Sequence, residues 1–206
     1  MSTFLNIANI SLCELGLREI ATLTQGGRAA DRCAEHVEAA VKEVLCAHAW
    51  SHATVWDTLA VLETAPPFGY SYAYQAPTEC YRVIDVRSES DLKAPRINFE
   101  QVRGKKIYTD ASPCYVRYVV HAEADLLLAS PEFCLACAYK LAARLCVPLS
   151  KSDDQGKMKS LYREALDVAK LGDTATMNER QQDPNRTCSI LAARDYPGVV
   201  SDAEDA

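Results

Sequence analysis

Two residue pairs in this chain have spacings that chemistry uses. Cys134-Leu135-Ala136-Cys137 matches C-x-x-C and opens a helical segment, where the positive end of the helix dipole can activate a thiol. Zinc would require a second ligand pair at similar spacing, and none is present. Both cysteines also fall on the apolar seam of their segment, where a thiol serves as a small hydrophobe, and packing is the stronger reading. His48 and His52, four apart, could offer two imidazoles to one metal from a single helix face. The run His48-Ala49-Trp50-Ser51-His52 has no glutamate between them and no third ligand nearby. A helix end with one histidine near its negative pole accounts for it better.

Other constellations are missing. Gly26-Gly27 precedes Arg28 at a helix start, yet no Walker or dinucleotide fingerprint accompanies it, and no G-x-S-x-G elbow occurs. Tyr70, Tyr72 and Tyr74 alternate with small residues, so an extended strand would place their rings on one side. Without interleaved Lys and Arg, such a row suits a protein contact or core packing better than stacked bases. These three tyrosines, with Ile190, Leu191 and Tyr196 near the C-terminus, are the candidate partner-contact residues. No residue is assigned to catalysis, a cofactor or a metal.

The elements that hold these residues follow from periodicity. Phe4, Ala8, Leu12 and Leu15 share a helical face over 3–15, with Gly16 as the stop and Leu17 folding back onto Leu12. Ala30, Cys33, Val37, Ala40, Val44 and Ala47 form a narrow seam on a helix over 28–49. Period-two patterns predict strands at 55–62, 81–87, 97–102, 106–109 and 114–121, with Arg103-Gly104-Lys105 as a hairpin turn. Ser130-Pro131-Glu132 starts a helix that Pro148 ends. Ser152-Asp153-Asp154-Gln155 has the form of a capping box for a last helix, and Gly172 is its expected stop. The result is an α+β chain. Helices at 1–53 and 130–172 form an antiparallel bundle, 54–129 is a β-rich insertion, and 173–206 is an extended acidic arm.

Composition narrows the function classes. The chain has 206 residues, 49% hydrophobic and 24% charged, enough to bury a core without metals or disulfides. Its net charge is −6, and 173–206 holds seven acidic and three basic residues, so most of that charge sits in the arm. This balance argues against sequence-independent DNA binding, which needs clustered cations. No window is long and apolar enough to span a membrane, and the start lacks the pattern of a secretory signal. The nine cysteines are odd in number and lie mostly in apolar periodic segments, the usage of a reducing compartment.

The order of motifs is similar to a known family. Ile7-Ala8-Asn9-Ile10-Ser11-Leu12-Cys13-Glu14-Leu15-Gly16, the helix end Ala47-His48-Ala49-Trp50-Ser51-His52-Ala53, and the run from Pro67 through Tyr70, Tyr72 and Tyr74 to Cys80-Tyr81-Arg82-Val83 carry the likeness. So do the hairpin over 99–109 with Tyr115-Val116-Arg117-Tyr118, and the helix start Ser130-Pro131-Glu132-Phe133. Over 4–170 the chain resembles the tail tubular protein A family, the head-to-tail adaptors of short-tailed bacteriophages. Thr78-Glu79 stands where the family pattern has an aspartate before the cysteine.

The resemblance implies a structural virion protein, not an enzyme, and no cofactor. It would be a homo-oligomer, a dodecameric ring beneath the portal protein, and would offer a platform to tail tube or nozzle proteins. Genomic DNA would pass through its channel without sequence-specific binding, and a net negative wall would let that DNA slide. The implied place is the virion neck, after assembly in the host cytoplasm. Two alternatives remain: a small thiol- or metal-dependent enzyme built on Cys134, Cys137, His48 and His52, and an adaptor domain that binds a peptide strand through its β-insertion.

Overall fold

A computed structural model describes residues 3–66, 69–91, 94–102, 105–120 and 128–181. The described chain is mixed α+β, with four helices and two small antiparallel sheets.

Helix α1 spans Thr3–Glu14, and the hydrogen bonds that end it follow from one glycine. Gly16 takes φ +66°, which lets its N–H reach Cys13 O at 2.9 Å and the Leu17 N–H reach Leu12 O at 2.9 Å. Helix α2 spans Arg28–Ala47, two residues shorter than expected. Its C-terminal carbonyls are claimed from outside: Trp50 Nε1–H donates to Val44 O at 2.8 Å, and Arg82 donates to Cys46 O at 2.9 Å. Folding Trp50 back to do this forces His48 into an extended conformation, which closes the helix.

Helix α3, Pro131–Leu145, starts as its sequence demands, with Ser130 accepting the Phe133 N–H at 3.2 Å and proline in the first turn. It packs against α1, α2 and the last helix, α4, which spans Gln155–Gln181. The expected capping box at 152–155 is replaced by a short 3-10 turn over Ser152–Asp154, in which the Gln155 N–H donates to Ser152 O and the Gln155 side chain donates away from the turn, to Ala143 O at 3.4 Å. Gly172 does not end α4 either. The helix runs nine residues past it, so the expected arm at 173–206 begins as helix, and the remainder, 182–206, lies outside the described residues. A mid-helix glycine costs about 1 kcal/mol. The neighbouring Asp173 more than offsets that through its bonds to Ser51, in the connection between α2 and the first strand.

The strands are β1 (Thr54–Leu59), β2 (Tyr72–Gln75), β3 (Cys80–Arg87), β4 (Phe99–Val102), β5 (Lys106–Thr109) and β6 (Cys114–Val120). They form two three-stranded sheets in the orders β1-β6-β3 and β2-β5-β4. β4 and β5 pair as the expected hairpin, Val102 opposite Lys106. β1 stops three residues early, because the chain then crosses to the second sheet, where Val61 bridges Tyr74.

Alternation along β6 joins the two parts of the molecule. Val116, Tyr118 and Val120 enter a core shared with Val83 and Val86 of β3 and with Tyr74 and Ile107 of the second sheet. Val119 points the other way, into the core made by the four helices, and Ile84 of β3 packs there too. The first sheet is therefore a middle layer. Its helix-side face is apolar only near Val119; farther along β6, Arg117 lies directly opposite Trp56 on one side and Asp85 on the other.

Candidate functional site

His48 and His52 lie at a junction where the end of α2, Phe133 at the start of α3 and Asp173 of α4 meet. Trp50 is fully buried. The His48 ring stands edge-on to it at 5.0 Å, and Phe133 does the same at 4.9 Å from another side. His52, in a 3-10 turn over Ser51–Ala53, packs edge-on to Phe133 at 4.8 Å. The two histidines are therefore not i, i+4 neighbours on one helix, and each packs against aromatic rings. Among the described residues, no group of three or more His, Cys, Asp or Glu is placed to hold a metal ion.

The residue that organises this junction is Asp173, which sequence reasoning placed in the arm. Its carboxylate accepts the Ser51 N–H at 3.0 and 3.2 Å and the Ser51 hydroxyl at 2.6 Å. His48 Nε2 lies 3.2 Å from the same carboxylate, whose side chain is only 7% exposed. A serine, a histidine and an aspartate thus meet beside a cleft of about 660 Å³. The order is wrong for a nucleophile. Catalytic serine needs histidine as its proton acceptor, with the acid behind it. Here the acid stands between, and the Ser51 hydroxyl donates directly to the carboxylate. The arrangement ties α4 to the α2–β1 connection across 122 residues of sequence.

Cys134 and Cys137 also lie at this end of α3, in its first two turns. Burial pushes both thiols above their usual value, with the Glu132 charge adding to the effect at Cys134 and the neighbouring Cys134 at Cys137. The shift for Cys137 is large. Burial outweighs the favourable dipole position, so neither sulfur is held as a thiolate. Cys33 and Cys114 are likewise pushed up to about 11 by burial.

The tyrosine row separates. Tyr74 is fully buried, and its hydroxyl donates to Ala111 O at 2.6 Å, so it is a core residue with no surface to offer a partner. Tyr72 is half-buried against the same core, 6.5 Å from Tyr74. Tyr70 precedes β2 and lines a cleft with Arg96 and Phe99. Of the expected contact row, Tyr74 is core because Ala111 and Ile107 enclose it, while Tyr70 and Tyr72 stay partly exposed. Ile190, Leu191 and Tyr196 lie outside the described residues.

A second cluster escaped the sequence reading. Asp85, with its side chain 2% exposed, is the common partner of Arg87, whose Nε and terminal nitrogen both approach at 2.9 Å, and of Arg96 at 3.5 Å. Arg117 lies across the strand pair from Asp85, and burial lowers its pKa despite the Asp85 charge. Arg87 and Arg117 both approach the ring of Trp56, at 5.4 and 5.9 Å, while that indole remains 39% exposed. The residues come from three strands and one loop. Only the alternation of Arg117 with Val116 and Tyr118 in β6 hinted at them.

None of the helices among the described residues is long and apolar enough to cross a membrane. No protein-family model matches this chain, and no curated protein is similar enough to match it.

Proposed function

We propose that this chain is a structural subunit that closes a ring with copies of itself, a head-to-tail connector in a virion neck. It would sit below the portal, extend the DNA channel and carry the tail tube or nozzle proteins. The observation that carries this reading is the outer face of α4. Met158, Leu166 and Ala169 are buried on its inner side, while Val168 and Leu171 stand 57% and 72% exposed on a helix about 40 Å long. Exposed apolar side chains on the longest element of a subunit fit a partner that covers them. In this reading the helices from both chain ends form the bundled ring wall, the β-insertion projects as a contact surface, and the acidic arm reaches beyond its own fold.

The thiols of Cys134 and Cys137, pushed up by burial, and the misordered Ser51–Asp173–His48 group support the non-enzymatic side of the proposal. Mass measurement of the full-length protein over a range of concentrations, with and without portal rings, tests it. Assembly into particles of about twelve subunits, or capture onto portal rings, is expected. A monomer at every concentration that ignores the portal overturns it.

One observation favours a peptide-binding adaptor as a second reading. β1 is an edge strand exposed along Val55–Thr58, with a row of outward backbone groups. Asp57 already accepts the Thr58 N–H at 2.7 Å, so this edge is partly closed by its own side chain.

A further inference from the structure

We infer that the flank of α4 bearing Lys159, Arg163 and Lys170, continued onto α3 by Lys140 and Arg144, is a contact surface for the phosphate backbone of a nucleic acid duplex. A single subunit carries the whole surface, so the inference stands apart from the ring reading.

The net charge of −6 belongs to the chain as a whole, and folding does not spread it evenly. At the helical repeat, Lys159, Arg163 and Lys170 fall within about 40° of one another on α4, in a row about 16 Å long. Lys159 and Arg163 are exposed and Lys170 is half-buried. Among the described residues none of the three forms an ion pair, whereas Glu35, Glu38 and Glu43 are each taken by a cation. Lys159 also lines a cleft of about 370 Å³ together with Lys140 and Arg144 of α3 and Glu43 of α2. Glu43 is already shared by Lys140 and Arg144, which leaves Lys159 without a carboxylate. The acids of α4 do not close the row. Asp167 sits at its margin, about 40° beyond Arg163, and pairs with no cation among the described residues. Glu164 is turned about 100° away from Arg163, to the flank where it acts with Glu14 on Tyr139.

The occupant follows from what this flank has and what it lacks. A protein partner needs an apolar, desolvated centre. The exposed apolar residues of α4, Val168 and Leu171, lie about 80° or more round the helix from the row. Phosphates need only charge and hydrogen-bond donors, which long basic side chains supply without reading sequence. One strand of a duplex presents a charge every ~3.4 Å of axis, so the row faces about five successive phosphates. The one ring beside it, Tyr162, is covered by the Lys140 ammonium at 4.7 Å, which leaves no platform for the stacked bases of a single strand.

The three unpaired cations, with the one positive charge left over from Lys140, Arg144 and Glu43, supply about four phosphate contacts. Fluorescence anisotropy of a labelled DNA duplex of about 20 base pairs, titrated with the full chain between about 25 and 200 mM NaCl, reads them. The plot of log K against log salt should have a slope of about −3.6, equal for two duplexes of unrelated sequence. Arg163→Ala should weaken binding about tenfold at the low-salt end and bring the slope to about −2.7, and Lys170→Ala should repeat that change, so that one misfolded variant does not decide the outcome. Charge reversal separates the row from net charge: Arg163→Glu should abolish binding, while Arg18→Glu, exposed beyond the end of α1, should leave it within about twofold. Absence of binding at the lowest salt, equal losses for Arg18→Glu and Arg163→Glu, or displacement of the duplex by polyglutamate as readily as by unlabelled duplex overturns the inference.

Discussion

Replacing Asp173 with alanine removes the carboxylate through which α4 holds both Ser51 donors. That side chain is 7% exposed, so solvent screens it little. A hydrogen bond to a charged acceptor contributes about 1.5–3 kcal/mol, and Asp173 accepts one from the Ser51 N–H and one from the hydroxyl. The adjoining cleft of about 660 Å³ lets water recover part of that loss. Asp173→Ala is therefore expected to cost about 3 kcal/mol, and Asp173→Asn, which keeps one neutral acceptor, about 1 kcal/mol. Urea titration monitored by Trp50 fluorescence reads both as a lower midpoint with an unchanged slope. Ser51→Ala should cost about 1–2 kcal/mol, and the double variant should fall short of the sum by about 1 kcal/mol, because both changes remove the same hydroxyl–carboxylate bond while Ser51→Ala keeps the N–H donor. A loss within about 0.5 kcal/mol for Asp173→Ala, or strict additivity with Ser51→Ala, would refute the anchoring role.

Truncation separates the Asp173 anchor from the chain beyond α4. A chain ending at Gly172 should lose at least as much stability as Asp173→Ala, whereas one ending at Gln181 should unfold at nearly the parent midpoint in the same titration. Glu43 joins α2 to α3 through Lys140 at 2.7 Å and through Arg144; burial alone would raise its pKa, but the Lys140 bond and the two charges hold it below the usual carboxylate range. Its contribution is thus complete above its unfolded pKa of about 4.3 and is lost as pH falls through the lower folded value. Since the side chain is 44% exposed, Glu43→Gln should remove only about 0.5 kcal/mol at pH 7 and less at pH 3, as measured by denaturant titration at both. Among the described cysteines, Cys13 is exposed and should react first with a thiol reagent at pH 8, while Cys33, Cys114 and Cys137 should react only on unfolding; mass mapping of labelled peptides that finds Cys137 modified early would contradict its burial.

Start and stop signals are legible in sequence where the bonds they make are local. Gly16 and Ser130-Pro131 act as their chemistry requires, because their partners lie within five positions. The passage of α4 through Gly172 and the fate of the tyrosine row depend instead on partners far along the chain. Asp173 answers to Ser51, 122 residues away. Tyr74 is core because Ala111 and Ile107 enclose it, a pairing that strand alternation alone does not disclose. The end of α2 is closer in sequence, yet it turns on the direction of one indole, which reaches back to Val44, and on Arg82 from β3. The Asp85 cluster is assembled from β1, β3, β6 and the loop before β4, so no contiguous motif records it.

The connector reading rests on an outer face of α4 that no other described element covers. Electron microscopy of the full-length protein mixed with portal rings addresses it most directly. The expected result is an added ring of density coaxial with the portal, lost when Val168→Asp and Leu171→Asp are introduced together. Portal particles identical with and without the protein would contradict it.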